Sequence, residues 1–136
     1  MAKITKINHV AIAVKDIDES LKFWRDAMGI ELHHMEDVPS QKSMVAFLPT
    51  GESEIELVKP TAEDTGVAKF LAERGGGIHH LCFEVDDIVG MLAMLKEKGI
   101  RLIDEEPKVL PGRKMAFVHP KSTGGVLVEL YEVMKD

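Results

Sequence analysis

The chain has 136 residues, of which 45% are hydrophobic and 29% charged, the make-up of a water-soluble folded protein with room for one compact domain. Its net charge of −6 argues against a nucleic-acid partner, whose binding draws on phosphate neutralisation, and no apolar run approaches the roughly 20 residues of a membrane helix. The start, Met1-Ala2-Lys3-Ile4-Thr5-Lys6, lacks the apolar stretch of a secretory signal, and the single Cys82 excludes an internal disulfide, so a reducing, cytoplasmic setting is expected.

In chain order, residues 4–14 alternate, with Ile12 and Val14 on one face and His9, Ala11 and Ala13 on the other, the pattern of a half-buried strand. Asp16 with Glu19 three residues on reads as the capping box of a helix. The apolar stripe of that helix is Ile17, Leu21, Trp24 and Met28, and Gly29 ends it. Three strands follow: Glu31–Val38 up to Pro39, Lys42–Leu48 up to Pro49, and, after the turn Thr50-Gly51-Glu52-Ser53, Glu54–Val58 up to Pro60. Val67, Phe70 and Leu71 at helical spacing predict a short linking helix that ends in Gly75-Gly76-Gly77. A new strand begins at Ile78, and the helix after it carries Ile88, Met91, Leu92 and Leu95 on one face and stops at Gly99. Strands at Ile100–Ile103, Lys114–Val118 and Gly125–Val133 complete the chain, with a long connection, Asp104–Arg113, containing Pro107, Pro111 and Gly112.

The two halves repeat one another. A shift of 71 residues superposes Ile7 on Ile78, His9 on His80, Val14 on Val85, Asp16 on Asp87, Ile17 on Ile88 and Leu21 on Leu92. The last strands repeat as well, Ile55-Glu56-Leu57 matching Val128-Glu129-Leu130. The expected fold class is α+β: one domain over 1–136, built from two tandem βαβββ modules at about 4–60 and 76–134 that form a curved sheet around a metal site.

The helix of each module must cover the apolar side of its sheet. That leaves His9 and Glu56, and in the second module His80 and Glu129, on the other side among Ala, Val and Cys82. One Glu or His on a strand is ordinarily a solvated residue. The same two types at matching places in both modules point to a shared task. Two imidazoles and two carboxylates suit a divalent ion of borderline hardness, such as Co²⁺, Mn²⁺, Ni²⁺, Zn²⁺ or Fe²⁺, and two ionised Glu cancel its charge. The remaining histidines carry less weight. His79 alternates to the face opposite His80, His33 and His34 have no partner in the repeat, and His119 before Pro120 reads as a turn cap. Cys82 shares a face with His80 and is read as a packing residue. Gly75-Gly76-Gly77 precedes a strand, which removes it as a phosphate loop.

Paired βαβββ modules with His and Glu ligands on their first and last strands resemble the vicinal oxygen chelate superfamily, and the resemblance runs the whole length of the chain. It is carried by Ile7-Asn8-His9-Val10-Ala11-Ile12-Ala13-Val14, by Gly77-Ile78-His79-His80-Leu81-Cys82-Phe83-Glu84-Val85-Asp86-Asp87-Ile88, and by the tail His119-Pro120-Lys121-Ser122-Thr123-Gly124-Gly125-Val126-Leu127-Val128-Glu129-Leu130. The resemblance implies that His9, Glu56, His80 and Glu129 hold one divalent metal ion per site, cobalt foremost, with Gln able to stand at the place of Glu56. It implies an isomerase for an acyl-CoA, interconverting the (R) and (S) forms of methylmalonyl-CoA in a homodimer. The carbon between thioester and carboxylate loses its proton from one face and regains one on the other, so two groups must move protons. Glu129 is one of them by this resemblance. Some relatives place a Glu on the third strand as the other, but Ser43-Met44-Val45-Ala46-Phe47 has no carboxylate. Coenzyme A brings phosphate charge, for which Arg113, Lys114 and Lys121, clustered in sequence near the final turn, are the substrate-binding candidates. The same scaffold admits a lyase of the glyoxalase I type acting on a glutathione adduct, a ring-cleaving dioxygenase with Fe²⁺ and three protein ligands, or a metal-free module that sequesters small molecules.

Overall fold

Residues 2–134 are described by the computed structural model, and their elements run through an α+β plan twice. One unit spans His9–His79; the other joins Met1–Asn8 to His80–Asp136. The first strand, β1 (Ile4–Ala13), enters the first unit at His9. It is followed by α1 (Ile17–Leu21), β2 (His34–Val38), β3 (Ser43–Thr50), β4 (Ser53–Pro60) and α2 (Gly66–Arg74). The strands lie in the order β2-β3-β4-β1, antiparallel from β2 to β4 and parallel between β4 and β1.

The expected alternation places Ile12 and Val14 in a core with Ile17 and Leu21 of α1 and with Ala46, Leu48 and Leu57. The other face is buried too, which corrects the half-buried expectation: Ala11, Val45 and Val58 form a second cluster, and Val67 of α2 packs against it. The linking helix therefore covers the very side that carries His9. It is capped by Thr65, whose hydroxyl accepts from Ala68 N at 3.1 Å, and closes on Gly75 at φ +77°, a left-handed conformation that glycine adopts without strain.

Two local readings change. The helix after Asp16 is α-helical only to Leu21 and continues as a π-helical turn over Lys22–Ala27, in which Met28 N donates to Phe23 O, five residues back. The wider turn rotates Met28 off the apolar stripe and leaves it exposed. Pro49 and Pro60 also stand inside their strands. Pro49 pairs with Glu54 beside the hairpin turn and Pro60 with Ser43 at the far end, positions where a missing N–H disrupts no central ladder.

The second unit contains β5 (Gly77–Val85, from His80 on), α3 (Ile88–Glu97), β6 (Lys108–Leu110), β7 (Arg113–Val118) and β8 (Leu127–Val133), in the order β5-β8-β7-β6. Its core holds Val85, Ile88, Met91, Leu92, Ala116, Val118 and Leu130. Asp87 caps α3 by accepting from Gly90 N at 3.0 Å, as its counterpart Asp16 caps α1 by accepting from Glu19 N at 3.1 Å. The strand expected at Ile100–Ile103 is reduced to a single bridge, Leu102 to Val118. Ile103 and Asp104 both spend their amides on Phe117 O, which bends the chain away, and the third strand forms later, in the supposed connection, as the β6/β7 hairpin over Pro111-Gly112. The first residues are tied to the end of β5, with Lys3 N donating to Asp86 Oδ1 at 2.8 Å, Asp86 N to Lys3 O at 3.1 Å and Asn8 Nδ2 to Glu84 Oε1 at 3.1 Å. Among the described residues no helix is long and apolar enough to cross a membrane.

Candidate metal and active site

In the first unit Ala11 lies opposite Glu56 in the parallel β1/β4 pair, and Phe47 lies opposite Glu56 on its other side. Side chains directly across a ladder share a face. His9, two residues before Ala11, shares it as well, and its Nδ1 lies 3.0 Å from Glu56 Oε2. The second unit repeats this arrangement. Cys82 and Phe117 flank Glu129, and His80 Nε2 lies 3.0 Å from Glu129 Oε1. The rings of Phe117 and His80 stand perpendicular, with centroids 5.6 Å apart. Each unit thus presents one His–Glu pair, and its glutamate stands between a small residue and a phenylalanine.

His9 and Glu129 are 1% and 3% exposed, and Glu56 and His80 12% each. A carboxylate so withdrawn from water needs a compensating partner. An imidazole N–H supplies one here, and a divalent cation would supply a stronger one. The donor set, one imidazole and one carboxylate per unit, fits a metal of borderline hardness. Cys82 is fully buried, and its Sγ lies within 4.8 Å of a Glu129 carboxylate oxygen.

The three cationic residues proposed from the sequence are not brought together. Arg113 and Lys114 are consecutive at the start of β7, so they point to opposite faces, while Lys121 lies beyond the other end of that strand in the turn Pro120–Ser122. Arg113 places its guanidinium 5.2 Å from the centre of the Tyr131 ring, and its Nη1 donates to Pro111 O at 3.3 Å. Its buried Nε has no hydrogen-bond partner among the described residues. Lys114 lies opposite Glu132, and Lys121 is exposed. His119 is the turn cap the sequence suggested: its Nδ1 accepts from Lys121 N at 3.0 Å. Burial, then the charges of Arg101 and Lys121, hold its pKa below the ordinary value. His79 packs edge-on against Phe70 of α2, with centroids 5.2 Å apart.

One residue gains importance. His34 lies opposite Phe47, which lies opposite Glu56, so His34, Phe47, Glu56 and Ala11 form a single row across the four strands on one face. Its ring stacks on Phe47 at 4.4 Å with 15° between the planes. The absence of a repeat partner hid it. Counting residues across the two turns that join β2, β3 and β4 would have revealed it.

Residues 8–117 match the family described as the Glyoxalase/Bleomycin resistance protein/Dioxygenase superfamily. The chain is 40% identical over 133 residues to the ethylmalonyl-CoA/methylmalonyl-CoA epimerase of Cereibacter sphaeroides, covering 96% of this chain and 99% of that protein. It is 38% identical over 130 residues to the mitochondrial methylmalonyl-CoA epimerase of Mus musculus, covering 94% of this chain and 73% of that one. A solved structure of a methylmalonyl-CoA epimerase in complex with methylmalonyl-CoA and NH4+ superposes with a TM-score of 0.88 at 36% identity, over 96% of each chain. Probable lactoylglutathione lyases stand further off, at 30% identity for that of Arabidopsis thaliana and 29% for that of Synechocystis.

Proposed function

The chain belongs to the Glyoxalase/Bleomycin resistance protein/Dioxygenase superfamily, and from that premise we propose that it is an enzyme interconverting the (R) and (S) forms of methylmalonyl-CoA. The observation that carries this reading is the twice-built His–Glu pair, His9 with Glu56 and His80 with Glu129, in a chain 40% identical to an epimerase of this substrate class. The four side chains would hold a divalent metal ion, cobalt foremost. When bound, such an ion would supply Lewis-acid stabilisation of the negative charge that develops on the substrate's thioester oxygen.

Glu129 acts on the carbon between thioester and carboxylate. As the base it takes the α-proton; the C–H electron pair moves into the thioester carbonyl, giving an enolate. Return of a proton to the opposite face inverts the centre, and in the reverse direction Glu129 is the acid. Glu129 is buried, so bulk water does not compete for the proton it exchanges with carbon. Ala11 and Cys82, small beside the two glutamates, leave the carboxylates room on the sheet face. Arg113, Lys114 and Lys121 remain the proposed contacts for the phosphates of coenzyme A, each at a separate point rather than as one cluster. The proposal includes a cytoplasmic homodimer.

The test is to offer single epimers of methylmalonyl-CoA and, in parallel, the hemithioacetal of methylglyoxal and glutathione. Conversion of either epimer to the equilibrium mixture, with the hemithioacetal untouched, is expected. Consumption of the hemithioacetal alone would make the protein a lyase. A protein purified without metal, inert to both and indifferent to chelators, would be a binding module.

A further inference from the structure

We propose that Cys82 is a metal ligand of this site: its thiol joins His80 and Glu129 on the ion and sets which ions the site prefers. This deepens the reading above and rests on its metal ion.

All three side chains belong to the unit that runs from His80 onward. Strand alternation turns Phe83 and Val85 toward the core beneath α3 and leaves His80 and Cys82 on the other face of β5. Cys82 lies directly opposite Glu129 in the parallel β5/β8 pair, and Glu129 Oε1 is 3.0 Å from His80 Nε2. The sulfur lies within 4.8 Å of a Glu129 carboxylate oxygen. With bonds of about 2.3 Å to sulfur and about 2.1 Å to oxygen, a tetrahedral ion would hold the two atoms roughly 3.6 Å apart, inside that limit. Nitrogen, oxygen and sulfur donors thus stand together on one face of one unit.

The repeat provides an internal control. Ala11 occupies the place of Cys82 in the first unit, opposite Glu56, and is just as buried. There it packs with Val45 and Val58. A side chain without chemistry is therefore enough to fill the place beside a glutamate. In the second unit that place holds the chain's single thiol, next to the glutamate assigned to proton transfer.

What sulfur adds is softness. Carboxylates suit Mn²⁺ and imidazoles suit Zn²⁺ and its neighbours, whereas a thiolate favours Zn²⁺ and, more strongly, the softer Cd²⁺. Coordination uses the thiolate, so the thiol proton passes to water as the sulfur–metal bond forms.

The test reads metal binding itself. Metal-stripped protein, in buffer free of added thiols, is titrated with Co²⁺ while the near-ultraviolet is followed for thiolate-to-cobalt charge transfer. The band is expected in the wild type and missing from Cys82→Ala and Cys82→Ser. Because the chain has one cysteine, any such band belongs to Cys82, and the wild-type spectrum decides even if a variant fails to fold. In competition, the preference for Cd²⁺ over Mn²⁺ should fall at least about tenfold in Cys82→Ala, the lower end of what losing a group from a metal site costs. Cobalt bound without the band, or an unchanged preference in the folded variant, would overturn the assignment and leave the epimerase reading standing. A wild type that takes up no divalent ion would overturn the metal reading, and this one with it.

Discussion

Glu56 and Glu129 occupy matching places, and changing each to glutamine separates holding a metal from moving a proton. The surroundings are nearly the same: a histidine at 3.0 Å, a small residue on one side and a phenylalanine on the other. Glutamine has the same shape, and its amide oxygen can still face a metal. The shared part of the effect is therefore the loss of one negative charge from the donor set, which should weaken metal binding by both variants alike. For Glu56→Gln that is the whole effect, and kcat at saturating metal should fall less than about tenfold. Glu129→Gln also removes a group that exchanges a proton with carbon, which an amide cannot do, so kcat should fall by roughly 100-fold or more. Metal stoichiometry by atomic emission, with kcat measured at saturating metal, decides the matter. Equal losses of kcat in two variants that both keep their metal would refute the distinction and reduce Glu129 to a ligand.

Asp87→Ala removes the N-cap of α3, which accepts from Gly90 N at 3.0 Å; calorimetry should show a loss of about 1 kcal/mol, a lowering of Tm by roughly 4 °C, and an unchanged Tm would mean the cap contributes nothing. His119, whose pKa burial and then Arg101 and Lys121 lower, should titrate by NMR below the ordinary value of 6.5. Because the folded chain resists that protonation, the stability it contributes is complete above the ordinary value and is lost as pH falls through the lowered one; a midpoint at or above 6.5 would contradict this.

Much of the fold and the heart of the site could be read from the sequence, because the repeat states them twice. His9 with His80 and Glu56 with Glu129 are paired by position alone, and strand alternation puts each pair on the side away from Leu57 or Leu130. Asp16 and Asp87 declare the two helix starts in the same way. What escaped depends on tertiary context. The π-helical turn at Lys22–Ala27 has no signature in an apolar spacing that also fits an α-helix. The place of β6 was settled by Phe117 O, which takes two amides from Ile103 and Asp104 and ends pairing there. His34 was hidden because its significance lies in the register between β2 and β3, fixed by a turn through Lys42 at φ +51°. Arg113, Lys114 and Lys121 are close in sequence, but a strand carries the last away from the first two.

The central claim is that this chain moves the α-proton of methylmalonyl-CoA with the help of a divalent ion. It is tested most directly by incubating metal-loaded and metal-stripped protein with the thioester in D2O and following the α-proton by NMR. The loaded protein should replace that proton with deuterium as the epimers equilibrate, the stripped protein should be no faster than buffer, and added Co²⁺ should restore exchange. Exchange by the loaded protein that is no faster than buffer would contradict the account, as would exchange that proceeds equally well without metal.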